Sequence, residues 1–339
     1  MQQLRVPGAI VGVVVAGRGT WTQAFGVADL KTRRPMRIDD HVRVGSITKT
    51  FTGTVVLTLV DQGRLSLDDH LSKFEPEVPD AASITIRQLL NMTSGLYNYS
   101  EDPGFNATLD SQPQKVWSPA ELIAISARHP ADFPPGQGWH YSNTNTVLLG
   151  MIAERVAGRP LGELIRERVF RPLAMGASVF PDRASAAIPA PHPRGYMFGD
   201  NVESLNSTPP AIPATEVPND VTGANPSWGW AAGAGISTLS DLLKWAPALG
   251  TGTLLQPATQ SQRLQWVGNA GGARYGLAIF DVQGYLGHNG ELPGFQSFMG
   301  YDPAKRTTVV VLTNLTAGPQ PERPGPADAI ARAIVPRLS

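Results

Sequence analysis

The 339-residue chain contains no cysteine, which excludes disulfides, thiolate metal sites and a cysteine nucleophile. It also has no excess of either charge, because 28 basic residues balance 28 acidic ones. A chain without net charge has no long-range electrostatic field that would attract nucleic-acid phosphates or anionic lipid headgroups. The sequence therefore predicts no nucleic-acid partner.

Long apolar runs and metal-ligand patterns are also missing. The longest apolar run, AIVGVVVAG at 9–17, is far shorter than the roughly 20 residues of a membrane helix, so we expect no transmembrane segment. The six histidines form no ligand-spaced pair, and no cysteine can assist them, so we expect no metal and no cofactor. The Gly-x-Ser-x-Gly elbow of α/β-hydrolases is absent too.

Strand patterns occur at both ends of the chain, around a helical middle. Residues 8–30 predict a hairpin, and strand-like stretches follow from about residue 274 up to a final helix at 326–338. The middle predicts amphipathic helices joined by Pro- and Gly-rich loops, with a long ordered surface loop at 181–229.

This order predicts an α/β (α+β) fold in which both termini build one antiparallel sheet flanked by helices. We expect the sheet domain to comprise residues 1–60 and 225–339. An inserted, mostly helical domain would comprise 61–224, and the active site would lie at the seam, where pockets commonly form.

The stretch VGSITKTFTG opens a predicted buried helix with Ser46 and Lys49 three residues apart. Positions i and i+3 share a helical face, so the lysine can reach the serine hydroxyl. A hydroxyl needs a base to act as a nucleophile, and a buried lysine with a lowered pKa can supply one. The alternative is a helix-capping serine beside a solvated lysine.

Two further polar stretches have a functional and an ordinary interpretation. In Tyr141-Ser142-Asn143, the tyrosine could relay a proton and Asn143 could hold a substrate amide; alternatively, Ser142 or Asn143 caps a helix and Tyr141 packs.

In His288-Asn289-Gly290, the glycine would let backbone approach a substrate closely. The alternative is that Asn-Gly forms the turn of a β-hairpin.

Taken together, the three motifs occur in one order at domain-scale spacing, and the chain resembles the penicillin-recognising serine enzymes. The resemblance is to the branch with class C β-lactamases, soluble D-alanyl-D-alanine carboxypeptidases, D-amino-acid-specific aminopeptidases and β-lactamase-like esterases. It extends over nearly the whole chain, through stretches such as LVDQGRLSLDD, TIRQLLNMTSGLYNYS and GAGISTLSDL.

The resemblance implies an acyl-enzyme on Ser46, with Lys49 as its partner and Tyr141 as general base or proton shuttle. The backbone N–H groups of Ser46 and Glu291 would form the oxyanion hole. His288 would occupy the position where other members place a lysine.

Substrate alignment would fall to Asn143 and to the strand edge at Asn289 and Gly290. The implied substrates are D-amino-acid peptides, esters or β-lactams, with a D-alanyl-D-alanine carboxypeptidase as the first interpretation. A β-lactamase-like esterase or a D-amino-acid amidase or aminopeptidase is the alternative.

Three departures concern the terminal carboxylate that a carboxypeptidase must bind. The strand before the His-Asn-Gly triplet has no cation beyond Arg274, and Asn289 replaces a hydroxyl residue of the carboxylate-binding members. Glu291 would repel a carboxylate. We therefore hypothesise that the substrate is an ester, an amide or a molecule whose amine meets Glu291.

Two other expectations concern activity and location. An inactive binding module usually lacks the serine or the lysine, and both are present. The cell-wall chemistry of the resembled family implies a secreted, periplasmic or cell-envelope location, although MQQLRVP lacks the features of a signal peptide. A cytoplasmic location stays open.

Overall fold

An eight-stranded antiparallel sheet forms the centre of the computed structural model, which describes residues 4–205, 212–213, 215–270, 273–316 and 325–338. The strand order is β2-β1-β12-β11-β10-β9-β8-β7. Its strands are β1 (Gly8–Val15), β2 (Gly19–Gly26), β7 (Val267–Ala270), β8 (Ala273–Tyr275), β9 (Phe280–Val282), β10 (Tyr285–Leu292), β11 (Phe295–Asp302) and β12 (Thr307–Thr313). Two short pairs join β3 (Val42–Arg43) to β6 (Ile236–Ser237) and β4 (Tyr196–Met197) to β5 (Asn219–Asp220).

Helices cover the sheet and fill the middle of the chain. They are α1 (Thr48–Asp61), α2 (Ile86–Leu90), α3 (Pro103–Ser111), α4 (Pro119–Ser126), α5 (Asn143–Ala157), α6 (Leu161–Ile165), α7 (Asn201–Ser204), α8 (Trp230–Gly233), α9 (Leu239–Thr251), α10 (Pro257–Arg263) and α11 (Pro326–Ile334). None of those in the described ranges is long and apolar enough to cross a bilayer.

The predicted fold class is confirmed, because the N-terminal hairpin pairs with the last strand. Val11 of β1 lies opposite Val311 of β12 in the antiparallel register. Alternate side chains of β12 point to opposite faces: Val310 packs into the main core with α9, and Val311 packs into a second cluster with Ala331 of α11. The central strands are therefore buried on both faces.

Helix α1 runs through the core and is buried on nearly every side. Its threonines can be buried because their hydroxyls form hydrogen bonds within the protein. Thr50 donates to the Ile47 carbonyl and Thr52 to the Ala231 carbonyl, each at 2.7 Å. The helix that carries Lys49 is thus fixed on all sides.

The first of the strand-like stretches near the C-terminus, YGLAIFDV at 275–282, is expected to form one strand. This prediction is wrong, because the stretch is divided between β8 and β9. Ala278 adopts φ +55° and its N–H donates to the Leu90 carbonyl at 2.8 Å, so tertiary packing interrupts the ladder. The described part of 181–229 holds only short elements, and 206–211 and 214 lie outside the described residues. The division into 1–60 with 225–339 and 61–224 stays a prediction.

Candidate active site

Ser46 lies in a single 3₁₀ turn, Gly45–Ile47, that leads directly into α1. It is partly exposed, whereas its neighbours on both sides are buried. The side chain makes no capping bond to the turn or to the helix, and Lys49 is fully buried. The alternative of a capping serine beside a solvated lysine is therefore wrong.

Lys49 places its amine between three oxygens. Nζ lies 2.9 Å from Ser46 Oγ, 2.6 Å from Asn143 Oδ1 and 3.0 Å from the Ala232 carbonyl. Burial lowers the pKa of Lys49 well below its ordinary value, because water no longer stabilises the ammonium. The ammonium would donate to all three oxygens, whereas the neutral amine would donate to Asn143 and Ala232 and accept the hydroxyl proton of Ser46.

Tyr141 approaches Ser46 from the segment before α5. Its hydroxyl lies close enough to the Ser46 side chain to interact with it, and its ring centroid lies 4.8 Å from Lys49 Nζ. Burial raises the pKa of Tyr141, and the interaction with Ser46 opposes that rise only in part. The hydroxyl therefore keeps its proton at neutral pH and can serve as a donor.

Asn143 begins α5, but neither it nor Ser142 acts as a side-chain cap. Its amide instead bridges Lys49 and Ser100: Oδ1 faces Lys49, and Nδ2 donates to Ser100 Oγ at 2.9 Å. The side-chain capping bond of the ordinary interpretation is therefore not formed, although Ser142 occupies the N-cap position and the Tyr141 ring packs beside those of Tyr275 and His288.

The triplet His288-Asn289-Gly290 lies inside β10, not in a turn. Strand β9 pairs with β10 only at Tyr285–Gly287, so the later part of β10 has a free edge, which faces the Gly45–Ile47 turn. The hairpin alternative is therefore wrong, and the prediction of a strand edge is correct.

Two glycines allow this edge and the turn to meet. Gly45 adopts φ +52°, and a Cβ there would stand 2.3 Å from the backbone N of Glu291. A Cβ on Gly290 would stand 1.9 Å from the Val44 carbonyl and 2.8 Å from the backbone N of Ser46. Only glycine permits such contacts, and the result brings the two predicted oxyanion-hole backbones together.

His288 lies in the wall of the site with both ring nitrogens engaged. Nδ1 lies 2.6 Å from the Asn289 carbonyl and Nε2 lies 3.0 Å from the Tyr275 hydroxyl. Burial, and then the positive charge of Lys49, lower the pKa of His288 to about 3. The imidazole is neutral at ordinary pH, so it donates through Nδ1 and accepts from Tyr275.

Asn289 and Glu291 point toward α11. Asn289 Nδ2 donates to Asp328 Oδ2 at 2.9 Å, and Gln296 donates to Glu291 Oε2 at 3.0 Å. Glu291 is exposed toward the cavity. Partial loss of water around its carboxylate raises its pKa; the hydrogen bond from Gln296 opposes this rise, and the charge of Asp328 adds to it. Burial raises the pKa of Asp328 as well.

A cavity of about 540 Å³ opens beside Ser46, between the segment at 139–141 and α11. Much of its wall is aromatic, contributed by Trp139, Tyr141, Tyr275, Phe280, Tyr285 and Phe298. The charged residues of the wall are Arg274, Glu291, Asp328 and Arg332, together with the titratable His140.

Sequence reasoning missed several of these residues. Tyr275, Asp328 and Arg332 carry no motif and reach the site only through the fold. His140 also belongs to none of the three motifs, although its position next to Tyr141 was a signal. Within the described residues, no three histidine or acidic side chains stand close enough to hold a metal ion.

The sequence model of the Beta-lactamase family matches residues 1–333. The chain belongs to this family. A D-aminopeptidase of Brucella anthropi is 29% identical over 330 residues, covering 94% of the chain and 58% of that enzyme. The chain thus spans less than two thirds of the length of this relative.

Solved structures of similar proteins cover almost the same extent. A D-stereospecific amidohydrolase from Streptomyces sp. is 34% identical with a TM-score of 0.83, covering 94% of this chain and 92% of that one. A D-amino acid amidase from Ochrobactrum anthropi SV3, complexed with L-phenylalanine amide, is 28% identical with a TM-score of 0.79, covering 94% and 89%.

Proposed function

We propose that the protein is a serine hydrolase that works through an acyl-enzyme on Ser46. The observation that carries this proposal is the contact of one partly exposed hydroxyl with a buried lysine at 2.9 Å and with the Tyr141 hydroxyl, at the mouth of a cavity. A nucleophile, a base and a proton donor stand within reach of one another, as acyl transfer requires.

Acylation follows from these contacts. Ser46 Oγ attacks the substrate carbonyl carbon while its proton passes to the neutral amine of Lys49. When the tetrahedral intermediate collapses, the bond to the leaving group breaks, and that group takes a proton relayed through Tyr141 from Lys49. Water then adds to the carbonyl carbon of the Ser46 ester while the same pair takes its proton. The bond between that carbon and Ser46 Oγ breaks, Oγ takes the proton back, and the acid is released.

The developing oxyanion would lie between the backbone N–H groups of Ser46 and Glu291. Gly45 and Gly290 support this assignment, because their missing side chains bring the turn and β10 together at that point. Such preorganised donors are each worth about 3–4 kcal/mol of transition-state stabilisation.

The substrate class we propose is an amide or short peptide of a D-amino acid with a free amine. The similarity to a D-aminopeptidase and to a D-stereospecific amidohydrolase supports this choice over a carboxypeptidase. The aromatic wall of the cavity suits an apolar side chain, since aromatic faces pack well against apolar groups.

Glu291 and Asp328 support the free amine. Both carboxyls line the cavity that opens at Ser46, and their raised pKa values reflect charge held away from water. A substrate ammonium beside them would offset that cost, whereas a carboxylate would increase it.

A D-alanyl-D-alanine carboxypeptidase is the second candidate, and Arg332 is the observation that favours it. This residue lines the same cavity from α11, four positions after Asp328, and a guanidinium is well suited to bind a terminal carboxylate. Arg274 is less suitable, because its guanidinium already bonds Asp281 and lies over Trp266.

Matched substrates test the two candidates. We expect kcat/KM for D-phenylalanine amide to exceed those for its L enantiomer, for the N-acetylated D-amide and for N-acetylated D-alanyl-D-alanine, each by about tenfold or more, a factor of the size expected for one lost charged contact. Ser46→Ala serves as the background. Faster hydrolysis of N-acetylated D-alanyl-D-alanine would support the carboxypeptidase, because its blocked amine and free carboxylate suit only that candidate. Equal rates for the free and N-acetylated amides would remove the ammonium from the proposal.

A further inference from the structure

His140 lies between two carboxylates at the rim of the cavity. Nδ1 lies 2.5 Å from Asp132 Oδ2 and Nε2 lies 3.3 Å from Glu101 Oε1. A neutral imidazole has one N–H and can donate to only one of them, whereas an imidazolium donates to both. The geometry therefore matches the protonated ring.

Glu101 connects this ring to the site through a chain of hydrogen bonds. Asn98 Nδ2 donates to Glu101 Oε1 at 3.0 Å, and Asn98 Oδ1 accepts the backbone N–H of Asn143 at 3.0 Å. Asn143 Oδ1 then lies 2.6 Å from Lys49 Nζ. The chain runs from a surface histidine to the buried lysine.

We propose that His140 is a positioning residue: as an imidazolium it joins Asp132 to Glu101, and so holds the 98–101 segment in the place from which it orients Asn143 toward Lys49. This inference rests on the proposed function, because it concerns the lysine that activates Ser46. His140 itself need not touch the reacting atoms.

The surroundings of His140 favour its protonated form. Burial lowers its pKa, but Asp132 and Glu101 more than offset that effect, so the pKa is raised. Asp102, the next acidic residue on that side, is occupied by His129, Nε2 to Oδ2 at 2.8 Å.

Other charged groups share the cavity that His140 lines, namely Arg274, Glu291, Asp328 and Arg332. In the described part of the chain, none of them is a hydrogen-bond or ion-pair partner of His140. Glu101 and Asp132 are therefore the two carboxylates that the protonated ring of His140 contacts.

The loss of this bridge should lower the activity as pH rises. Below the raised pKa of His140 the bridge is complete, and it is lost as pH rises through that value. The other titrating groups do not produce such a decline: Tyr141 keeps its proton, His288 stays neutral, and Lys49 becomes a better base as pH rises.

The test is the pH profile of kcat/KM between pH 5.5 and 9 on a neutral acyl ester, which does not titrate in that range. We expect the wild-type rate to fall about two- to fivefold across the alkaline side, the size of an exposed charge pair. His140→Gln should lack that fall, and Glu101→Gln should lack it as well, with folding checked by circular dichroism.

His41→Gln is the matched control, since the described residues give the His41 ring one hydrogen-bond partner, the backbone carbonyl of Pro191, and the profile of this variant should follow the wild type. An alkaline fall that persists in His140→Gln overturns the inference while leaving the hydrolase intact. If the wild type showed no turnover that depends on Ser46, the proposed function itself would be refuted.

Discussion

A lysine buried beside a serine can be either a charged structural group or a neutral base, and the contacts of Lys49 distinguish the two. Its amine has three oxygen neighbours, from Ser46, Asn143 and Ala232. A permanent ammonium would satisfy all three by donation but could not accept the serine proton. Because burial lowers the pKa of Lys49, the neutral form is accessible and the base is available.

Replacing Lys49 by methionine should therefore remove the base while keeping a side chain of similar length. We expect kcat/KM to fall about 10²- to 10⁴-fold, the usual contribution of general base catalysis, as measured on D-phenylalanine amide. In the wild type, activity should rise as pH increases through the lowered pKa of Lys49, because the neutral amine then forms.

Lys73→Met is the control for that substitution, since Lys73 is exposed and pairs with Asp69 on the surface. It should retain full activity. A Lys49→Met enzyme with wild-type kcat/KM would mean that another group activates Ser46.

At the scale of elements, the meeting of the Gly45–Ile47 turn with β10 determines whether the site can stabilise an oxyanion. A side chain at position 45 would meet two obstacles. The backbone has φ +52°, which disfavours residues other than glycine, and an added Cβ would stand 2.3 Å from the backbone N of Glu291. Glycines in ordinary turns have only the first of these obstacles.

Gly45→Ala should consequently separate the two oxyanion donors and abolish most activity. Gly63→Ala is a matched control, because Gly63 also adopts a left-handed φ, +67°, but has nothing within 4 Å of its Cβ position. We expect Gly63→Ala to cost about 1 kcal/mol of folding free energy with activity retained, and Gly45→Ala to reduce kcat/KM at least about 100-fold, as loss of an oxyanion donor does. Similar activities for the two variants would contradict this assignment.

Elements also show where prediction from sequence succeeds. Helix α1, which carries Lys49 just after Ser46, was predictable because its signals are local: an i, i+3 pair ahead of a periodic apolar face. The break between β8 and β9 was not, since it depends on a bond from Ala278 to the Leu90 carbonyl, a contact between residues far apart in the chain.

The same distinction applies to the site. Ser46, Lys49, Tyr141 and the β10 edge were predictable from motifs with a known order. Asp328, Tyr275 and the Glu101–His140–Asp132 bridge come from segments that only the tertiary fold brings close, and their residue types are common on any surface.

At the scale of the molecule, Arg43 ties the sheet side of the site to the long loop region. Its guanidinium donates to the Ala224 carbonyl at 2.8 Å and to the Ala186 carbonyl at 2.7 Å, and burial lowers its pKa to about 10. It stays charged at neutral pH and bonds two segments that lack regular structure.

Arg43→Met should leave both carbonyls without their donor and lower the free energy of unfolding by about 3 kcal/mol, measured by urea denaturation. Arg18→Met, at an exposed position, should change it by no more than about 0.5 kcal/mol. Equal stability of the two variants would show that Arg43 does not fasten the loop.

The central claim is an acyl-enzyme on Ser46, and intact-mass spectrometry of acid-quenched protein tests it most directly. An ester of D-phenylalanine is the best reagent, because a good leaving group favours accumulation of the intermediate. The account predicts a D-phenylalanyl adduct that maps to the peptide containing Ser46 and is absent from Ser46→Ala. Turnover that continues in Ser46→Ala, with no adduct on the wild type, would contradict it.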